Sequence, residues 1–444
     1  MFLSIWLWAP NSWCFLSSQP QNSIRYSPTS TRVSYLVLHN NENSVLPSQS
    51  ALDSKTRQLL KRDEIGAWTE DMFQDVLDTM GLWSRRPNRR TCDTLERLLR
   101  RVVEEKLVGN PNATSLDMMM TPMYNTVIQS WSKSGEKGAA QRAEEIFDNM
   151  QFAYEEGDLS LKPDINSFNA VLNAYAESKQ KDSPLQAMRV LQKLHDLIAS
   201  KKTDIIPNME SYASLLRAYA GVGGKDAPAR VLKLLNRMEE LSKEGFPSVK
   251  PDSTCHNIYL GALLDAIGRA GNTSAAKIAR EAESYLQRMM ENASEDSRPN
   301  IWSFNLVISA WSKSGDLEMG ERAELLFSQL EDFHKNSSRT TATEPNTNTY
   351  NCLLACYSRS TMKDKAQRSH TLLEKMKRMD AEGMHSRRPD AVTYNTVMNA
   401  YVKSKRPDAP LKVESLLREL HERYEATGDR FLRPSSRSFN TCVS

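Results

Sequence analysis

An asparagine recurs along the chain, in most cases directly after a tyrosine or phenylalanine. It stands at Asn125, Asn169, Asn257, Asn305, Asn351, Asn395 and Asn440, with Ala213 in the same slot once. From position 125 to position 440 the successive steps are 44, 44, 44, 48, 46, 44 and 45 residues, which chance does not produce. An amide carries both hydrogen-bond donors and an acceptor, so a row of such side chains could recognise the edges of bases.

A second column contains basic residues eight to twelve positions after the asparagine slot. Its members are Lys133, Arg269, Lys313, Arg359 and Lys403, and Glu177 and Gly221 are the exceptions. A basic stripe of this kind could follow the phosphates of a single strand. The alternative is a solvated charged face without a ligand.

Prolines divide the chain into the units that must position these columns. They occur a few residues before each later signature, at Pro163, Pro207, Pro251, Pro299, Pro345, Pro389 and Pro434. Because proline disfavours helix in the residue before it and breaks a helix interior, each one separates two helical units. We expect N-capping by the Ser or Thr that precedes each signature, at Ser167, Ser211, Ser303, Thr349 and Thr393. With the cap slot filled in this way, the asparagine needs another explanation.

Two helices fit within each unit. The first carries an apolar pair such as Val127/Ile128, then a small residue and an aromatic, as in Ser130-Trp131. The second shows the spacing 0, 3, 4, 7 of one helix face, as in Ala143, Ile146/Phe147 and Met150. A pair this small cannot bury both apolar faces alone, so stacking is required. The sequence predicts an all-α, right-handed superhelical solenoid of helix-turn-helix repeats.

The predicted organisation has seven repeats between a distinct head and a partial last unit. The repeats span 121–164, 165–208, 209–252, 253–300, 301–346, 347–390 and 391–435, and 436–444 begins an eighth that we interpret as truncated. Residues 51–120 are predicted as a helical N-terminal cap or degenerate repeat, ending in a linker over 108–120. Residues 1–50 contain one acidic residue, Glu42, and resemble an organelle transit peptide. A disordered tail or a wrongly assigned start is the alternative.

The combined signature resembles the pentatricopeptide-repeat (PPR) family over about 70% of the chain (315 of 444 residues). The resemblance is carried by Tyr-Asn-Thr at a helix start, by Ser134-Gly135-Glu136 and Ser314-Gly315-Asp316 between helices, and by Lys162-Pro163-Asp164 at a repeat end. It favours this family over the related tetratricopeptide repeat. It implies a single-stranded RNA partner, with about one base bound per repeat.

The resemblance also implies which residues read the base. The asparagine slot acts together with the last residue before the next repeat. The implied pairs are Asn125 with Asp164, Asn169 with Asn208, Ala213 with Asp252, Asn257 with Asn300, Asn305 with Asn346, Asn351 with Asp390, and Asn395 with Ser435. By family analogy the RNA site, with the N-terminal repeat at the 5′ side, is U, pyrimidine, a base that the Ala213 pair does not specify, pyrimidine, pyrimidine, U, C.

The chain departs from the family pattern in three ways. Its repeats of about 44 residues are longer than usual, and we expect the surplus to lengthen the second helix by about two turns. The repeat at 253–300 has about four extra residues, which could displace Asn257 and put Gly261 in its place. The family's valine wedge, which sandwiches bases, occurs only at Val392. The other repeats carry Pro122, Asn166, Glu210, Thr254, Trp302 and Asn348 there.

Composition and motifs give no sign of catalysis. The net charge is only +3, from 58 basic and 55 acidic residues, so binding to a polyanion would require the basic residues on one face. The six cysteines form no C-x-x-C pair and the seven histidines show no metal-ligand spacing. The segment Gly221-Val222-Gly223-Gly224-Lys225 lacks a phosphate-loop pattern and is predicted as a turn. We expect no cofactor, no metal site and no membrane span.

Three functions remain open. The first is an RNA-binding adaptor in organelle RNA processing, stability or translation, located in the mitochondrion or plastid. The second is a protein-binding scaffold of the tetratricopeptide type. The third is the RNA-binding arm of a ribonuclease P or an editing enzyme whose catalytic domain lies elsewhere. We expect a monomer, with protein partners in RNA processing.

Overall fold

The fold is seen in a computed structural model. It describes residues 48–60, 66, 68–112, 117–292, 294–336 and 341–443, without the side chains of residues 272, 292, 341, 442 and 443. The described residues form eighteen α-helices and no β-strand, which confirms the all-α helical-repeat fold. The predicted transit peptide falls almost wholly on residues 1–47, outside the described residues.

Three helices precede the repeats. They are α1 (Gln49–Leu60), α2 (Glu70–Ser84) and α3 (Arg89–Leu107). Asn88 caps α3, because its side chain accepts a hydrogen bond from the Thr91 backbone N–H at 3.0 Å. The apolar stripe of α3 is buried at Leu95, Leu98, Leu99 and Val102.

Seven helical hairpins and one further helix follow. The hairpins are α4 (Met120–Ser134) with α5 (Ala139–Glu155), α6 (Ile165–Ser178) with α7 (Ser183–Ala199), α8 (Met209–Val222) with α9 (Ala227–Lys243), α10 (Ser253–Ile267) with α11 (Asn272–Asn292), α12 (Ile301–Ser314) with α13 (Met319–Asn336), α14 (Thr347–Arg359) with α15 (Lys365–Ala381), and α16 (Ala391–Ser404) with α17 (Ala409–Thr427), and α18 spans Ser436–Val443. Each first helix carries a signature asparagine slot.

The helices divide into two compact units at Leu215/Leu216, within α8. In the first unit, α4 packs on α2, α3, α5 and α6. In the second unit, the first helices α10, α12, α14, α16 and α18 lie side by side in sequence order, and the second helices α11, α13, α15 and α17 each pack between their own first helix and the next one. The apolar columns are therefore buried between hairpins as well as within them.

Aromatic pairs join one hairpin to the next. Phe147 on α5 meets Phe168 on α6 edge-on, with ring centroids 4.7 Å apart. Phe327 on α13 meets Tyr350 on α14 at 5.1 Å. This packing makes the core continuous along a unit, as expected for hairpins that cannot bury both faces alone.

The predicted N-caps were wrong by three residues. The first helices begin two residues before the Ser or Thr, and the cap is the Asp or Asn after the proline, as at Asp164, Asn300, Asn346 and Asp390. The Ser or Thr is the third helical residue, and its hydroxyl accepts a hydrogen bond from the cap residue's backbone N–H, which forms a capping box. The physical reason is that an Asp or Asn here can bond to the backbone N–H three residues on.

The extra repeat length is only partly helical. Helix α5 continues five residues beyond Met150, to Glu155. Gly157 then turns the chain at φ 109°, and a 3₁₀ turn over Leu159–Leu161 leads to Pro163. Such a 3₁₀ turn also precedes Pro251, Pro299, Pro345, Pro389 and Pro434. In this repeat the expected two extra helical turns are replaced by a shorter extension and a tight connection, whereas α17 continues to Thr427, about two turns beyond Leu420.

None of the described helices combines the length and the apolarity that crossing a bilayer requires.

Candidate nucleic-acid interface

Four of the seven residue pairs implied by the resemblance are joined directly by hydrogen bonds. In each pair the amide Nδ2 of the first residue donates to Oδ1 of the second, across successive hairpins. The pairs are Asn125–Asp164 at 3.0 Å, Asn169–Asn208 at 3.2 Å, Asn257–Asn300 at 3.3 Å and Asn351–Asp390 at 3.2 Å. The second residue of each pair precedes the next first helix directly, so the pair links a side chain to a helix start.

A hydroxyl completes each link. The third residue of the next first helix donates its hydroxyl to the amide oxygen of the asparagine: Ser167 to Asn125 at 2.7 Å, Ser211 to Asn169 at 2.6 Å, Ser303 to Asn257 at 2.7 Å and Thr393 to Asn351 at 2.8 Å. We call each set of three an amide link. This structural role for the asparagine column was missed because the Ser or Thr was interpreted as the cap.

The remaining pairs are different. The amide oxygens of Asn305 and Asn395 are buried without a hydrogen-bond partner among the described residues. Ala213 is 3% exposed and offers no side-chain polar group. Ser435, the second member of the last pair, is exposed. The amide links are therefore a feature of four repeats.

The links leave part of each pair's hydrogen-bonding capacity unused. An asparagine Nδ2 carries two N–H groups, and the link uses one of them. Second members such as Asp164 and Asp390 are half-buried, whereas Asn169 is only 4% exposed. The base-reading role of these residues stays a prediction.

In the repeat at 253–300, Asn257 is not displaced. It makes the same contacts to Asn300 and Ser303 as its counterparts make, so the expectation that Gly261 takes its place was wrong. The extra residues instead extend the second helix. Ala282 occupies in α11 the position that Ala143 occupies in α5, the first of the 0, 3, 4, 7 spacing. Helix α11 begins ten residues before Ala282, whereas α5 begins four residues before Ala143.

All five members of the basic column lie exposed near the C-terminal ends of first helices, or just beyond. They are Lys133, Arg269, Lys313, Arg359 and Lys403. Within the described part of the chain, none of the five forms an ion pair with a carboxylate. Arg359 donates to the Ser312 hydroxyl of the preceding first helix at 3.0 Å, and Arg269 lies against Gly223. Their charges are available to an anionic ligand.

Many basic residues of the second helices are, by contrast, neutralised. A glutamate of the preceding hairpin, or of α3, contacts both the aromatic residue of a first helix and an arginine of the following second helix. We call each such set a glutamate bridge. The bridges are Glu96 with Trp131 and Arg142, Glu144 with Tyr175 and Arg189, Glu283 with Trp311 and Arg322, and Glu324 with Tyr357 and Arg368. The sequence pattern places these aromatics directly after a small residue of the first helix but does not show their glutamate partners.

The wedge slot is exposed on the first helices from α6 to α16 and half-buried at Pro122. Trp302 is 59% exposed and Val392 is 55% exposed. A solvent-exposed indole can stack on a base. Trp302 is therefore the side chain of this slot that offers a base the strongest apolar contact.

No described group of three or more His, Cys, Asp or Glu residues is placed to hold a metal ion. Cys92, Cys255 and Cys356 are buried free thiols, and burial raises the pKa of Cys92 and of Cys255 to about 12. Gly223, Gly224 and Lys225 form the predicted turn, between α8 and α9.

Two family models match the chain. One describes a pentatricopeptide repeat domain and matches residues 155–220, and the other describes a PPR repeat and matches residues 392–423. The chain is a pentatricopeptide-repeat protein. PPR proteins are generally non-catalytic and bind single-stranded RNA. No curated protein matches the chain in a sequence search.

Proposed function

We propose that this PPR protein binds single-stranded RNA along the exposed face of its first helices and acts in organelle RNA processing, stability or translation. One observation carries the proposal. Five basic side chains at nearly the same register of the first helices have no ion-pair partner in the described structure, whereas the second helices hold several of theirs in glutamate bridges. If the basic column only contacted solvent, there would be no reason for the first helices to leave their basic residues without ion pairs while the second helices pair theirs.

Base selection in this proposal rests on the amide pairs. The asparagine Nδ2 keeps one N–H that the amide link does not use, and the Asp or Asn partner keeps the side-chain atom other than Oδ1. In this proposal these groups present a hydrogen-bond donor and an acceptor toward the edge of a base. Asp164 Oδ2 also accepts from the Asn166 Nδ2 at 3.0 Å, so the wedge slot can orient the pair. The preferred site is U, pyrimidine, any base, pyrimidine, pyrimidine, U, C.

In this proposal, base stacking contributes less to the free energy of RNA binding than it does in proteins with aromatic platforms. Stacking on an aromatic side chain contributes about 1–3 kcal/mol per base. Trp302 offers an indole and Val392 an aliphatic surface, while the other wedge slots are polar or hold proline. We therefore expect phosphate contacts to supply much of the affinity.

The decisive experiment is fluorescence anisotropy of the full chain with a labelled RNA containing UCACCUC. Its purine-rich complement GAGGUGA and a duplex of the two strands are the controls. We expect at least tenfold tighter binding of the single pyrimidine-rich strand than of either control. Equal affinity for the complement would refute the base preference, and no binding to any RNA would refute the RNA function in favour of a protein scaffold.

The organelle proposal rests on the acid-poor head of the sequence. Residues 1–50 fused to a fluorescent protein should direct it to mitochondria or plastids. A diffuse cytosolic signal would contradict the proposal. The same fusion with Arg25 and Arg32 changed to glutamate is the control and should not be imported.

A further inference from the structure

A cavity of about 520 Å³ lies in the second unit, on the side of the hairpins formed by second helices. Its walls come from α9, from α11 and from the connections that follow these two helices. His256, on α10, contributes to its floor. The cavity shares no residue with the amide links, the basic column or the wedge slot.

The residue on the floor of the cavity is unusual for its position. His256 stands where the other six repeats carry a tyrosine or phenylalanine, as at Phe168, which packs against Phe147. Its imidazole contacts Tyr285, which occupies a position held by Ile, Val or Leu in the other repeats. The pairing of a histidine with a tyrosine is therefore particular to this repeat.

The floor of the cavity is polar and fixed. His256 is 7% exposed, and its Nδ1 lies 2.7 Å from the hydroxyl of Tyr285, which is also 7% exposed. If that hydroxyl donates to Nδ1, the tautomer carries its proton on Nε2, which then becomes a hydrogen-bond donor. Met289, Leu232 and Pro251 add apolar surface.

The rim of the cavity is cationic. Lys243, Lys250 and Arg288 all line it, and none of the three forms an ion pair within the described structure. Glu239 is the only carboxylate among the lining residues, so these four ionised side chains sum to +2. The Ser242 hydroxyl offers a further donor, whereas the Ser297 hydroxyl donates to the Pro251 carbonyl at 2.8 Å and lies 3.2 Å from the Ser294 hydroxyl.

We propose that this cavity binds a small organic phosphate, with the phosphate held by Lys243, Lys250 and Arg288 and the organic part on the floor formed by His256 and Tyr285. Arg and Lys side chains are the usual partners of phosphate oxygens, and a volume of this size accommodates a nucleotide. A mononucleotide and the 5′-phosphorylated end of an RNA share this chemistry. The site does not depend on RNA binding by the first helices.

The test is calorimetric titration of the full chain with uridine monophosphate, and with uridine as the ligand without phosphate. We expect saturable binding of the nucleotide and at least tenfold weaker binding of uridine. The double variant Lys250→Gln/Arg288→Gln should weaken nucleotide binding at least tenfold. Lys233→Gln, an exposed lysine on α9 outside the cavity, is the matched control and should change nothing.

An independent readout is the NMR spectrum of the seven histidine rings, in which uridine monophosphate should shift His256 most. Equal binding of uridine, no binding of the nucleotide, or equal effects of the double variant and the control would overturn the proposal.

Competition distinguishes the two sources of the phosphate. An RNA with a 5′-phosphate that displaces the nucleotide, where the 5′-hydroxyl form does not, supports an RNA end as the ligand. Failure of both RNAs to compete, with nucleotide binding intact, supports a free nucleotide.

Discussion

The side-chain amide of Asn125 donates to the carboxylate of Asp164 at 3.0 Å, although the two residues are 39 positions apart and belong to successive first helices. Asp164 is at the same time the N-cap of α6. The pair to which family analogy assigns base reading is thus also a connection between hairpins. Substitutions in these columns should therefore change both stability and RNA preference, and the two effects can be separated by the choice of side chain.

Asp390→Asn should change base preference without loss of stability. Asn is as good an N-cap as Asp and keeps the Oδ1 that accepts from Asn351. By family analogy the sixth base should relax from U toward either pyrimidine, a change of roughly 1 kcal/mol in the U-over-C preference, the size of one hydrogen bond. Anisotropy with U or C at position six measures it. Asp164→Asn is the control and should relax the first position instead.

Asn169→Ala should destabilise the first unit. The substitution removes a buried amide and leaves the Ser211 hydroxyl and the Asn208 Oδ1 without that partner. The expected loss is about 1–3 kcal/mol in the free energy of unfolding, measured by urea denaturation. Asn166→Ala, at an exposed position of the same helix, should cost less than about 0.5 kcal/mol. Similar losses for both variants would remove the structural role of the amide link.

The triple variant Lys133→Gln/Lys313→Gln/Lys403→Gln should weaken RNA binding and flatten its salt dependence. Each phosphate contact on a single strand contributes a slope of about −0.7 in log K against log salt, so the slope should become less negative by about 2. Lys233, Lys277 and Lys412 are exposed on second helices and serve as a matched triple control. A similar change in slope for the control would show that the basic column has no special part in binding.

Glu144→Gln should destabilise the protein more than Glu145→Gln. Glu144 is 17% exposed, accepts the Tyr175 hydroxyl and holds Arg189 through both oxygens at 2.7 Å. Loss of the charge weakens these bonds by about 1–2 kcal/mol, of which the exposed Arg189 supplies the smaller part. Glu145 is 60% exposed, and Arg142 is its one ion-pair partner among the described residues. Burial and the Glu144 carboxylate raise the pKa of Tyr175, so ultraviolet titration should show that pKa falling in Glu144→Gln.

Acid should destabilise the first unit through His195. Burial lowers the pKa of His195 to about 4, although Asp196 opposes the shift. The unfolded chain therefore binds more protons between about pH 6.5 and pH 4, so the stabilisation present above pH 6.5 is lost as the pH falls through this window. At pH 4.5 the loss is about 2–3 kcal/mol. Urea denaturation at pH 7 and pH 4.5 should show a smaller difference for His195→Gln, whereas the exposed His421→Gln should behave like the unchanged chain.

Periodicity in the sequence was sufficient for the architecture. The recurrence of Asn125 and its counterparts, the prolines and the apolar columns predicted two helices per unit, and the structure has them. The helix starts were displaced because Asp164 and Ser167 are both good capping residues in sequence, and only the backbone shows which one precedes the helix. The position at which a helix begins depends on differences in helix propensity of a few tenths of a kcal/mol per residue. Tertiary packing overrides differences of this size.

The columns of the candidate interface were likewise visible in the sequence, because an exposed register repeats as regularly as a buried one. The sequence could not show that Asn169 is buried while Lys133 is exposed to solvent, since both are polar residues on first helices. It also could not show the bridge from Glu144 to Tyr175 and Arg189, which joins three helices.

The sequence alone determined the repeat, the helical hairpin and the choice of residue types in each column, because these follow from local periodicity and from the geometry of one helix. The tertiary structure decided which polar side chains are used up in holding hairpins together and which remain available to a ligand. Hydrogen bonds and ion pairs between residues about 40 positions apart depend on how neighbouring hairpins are placed, and that placement is set by the packing of the whole core.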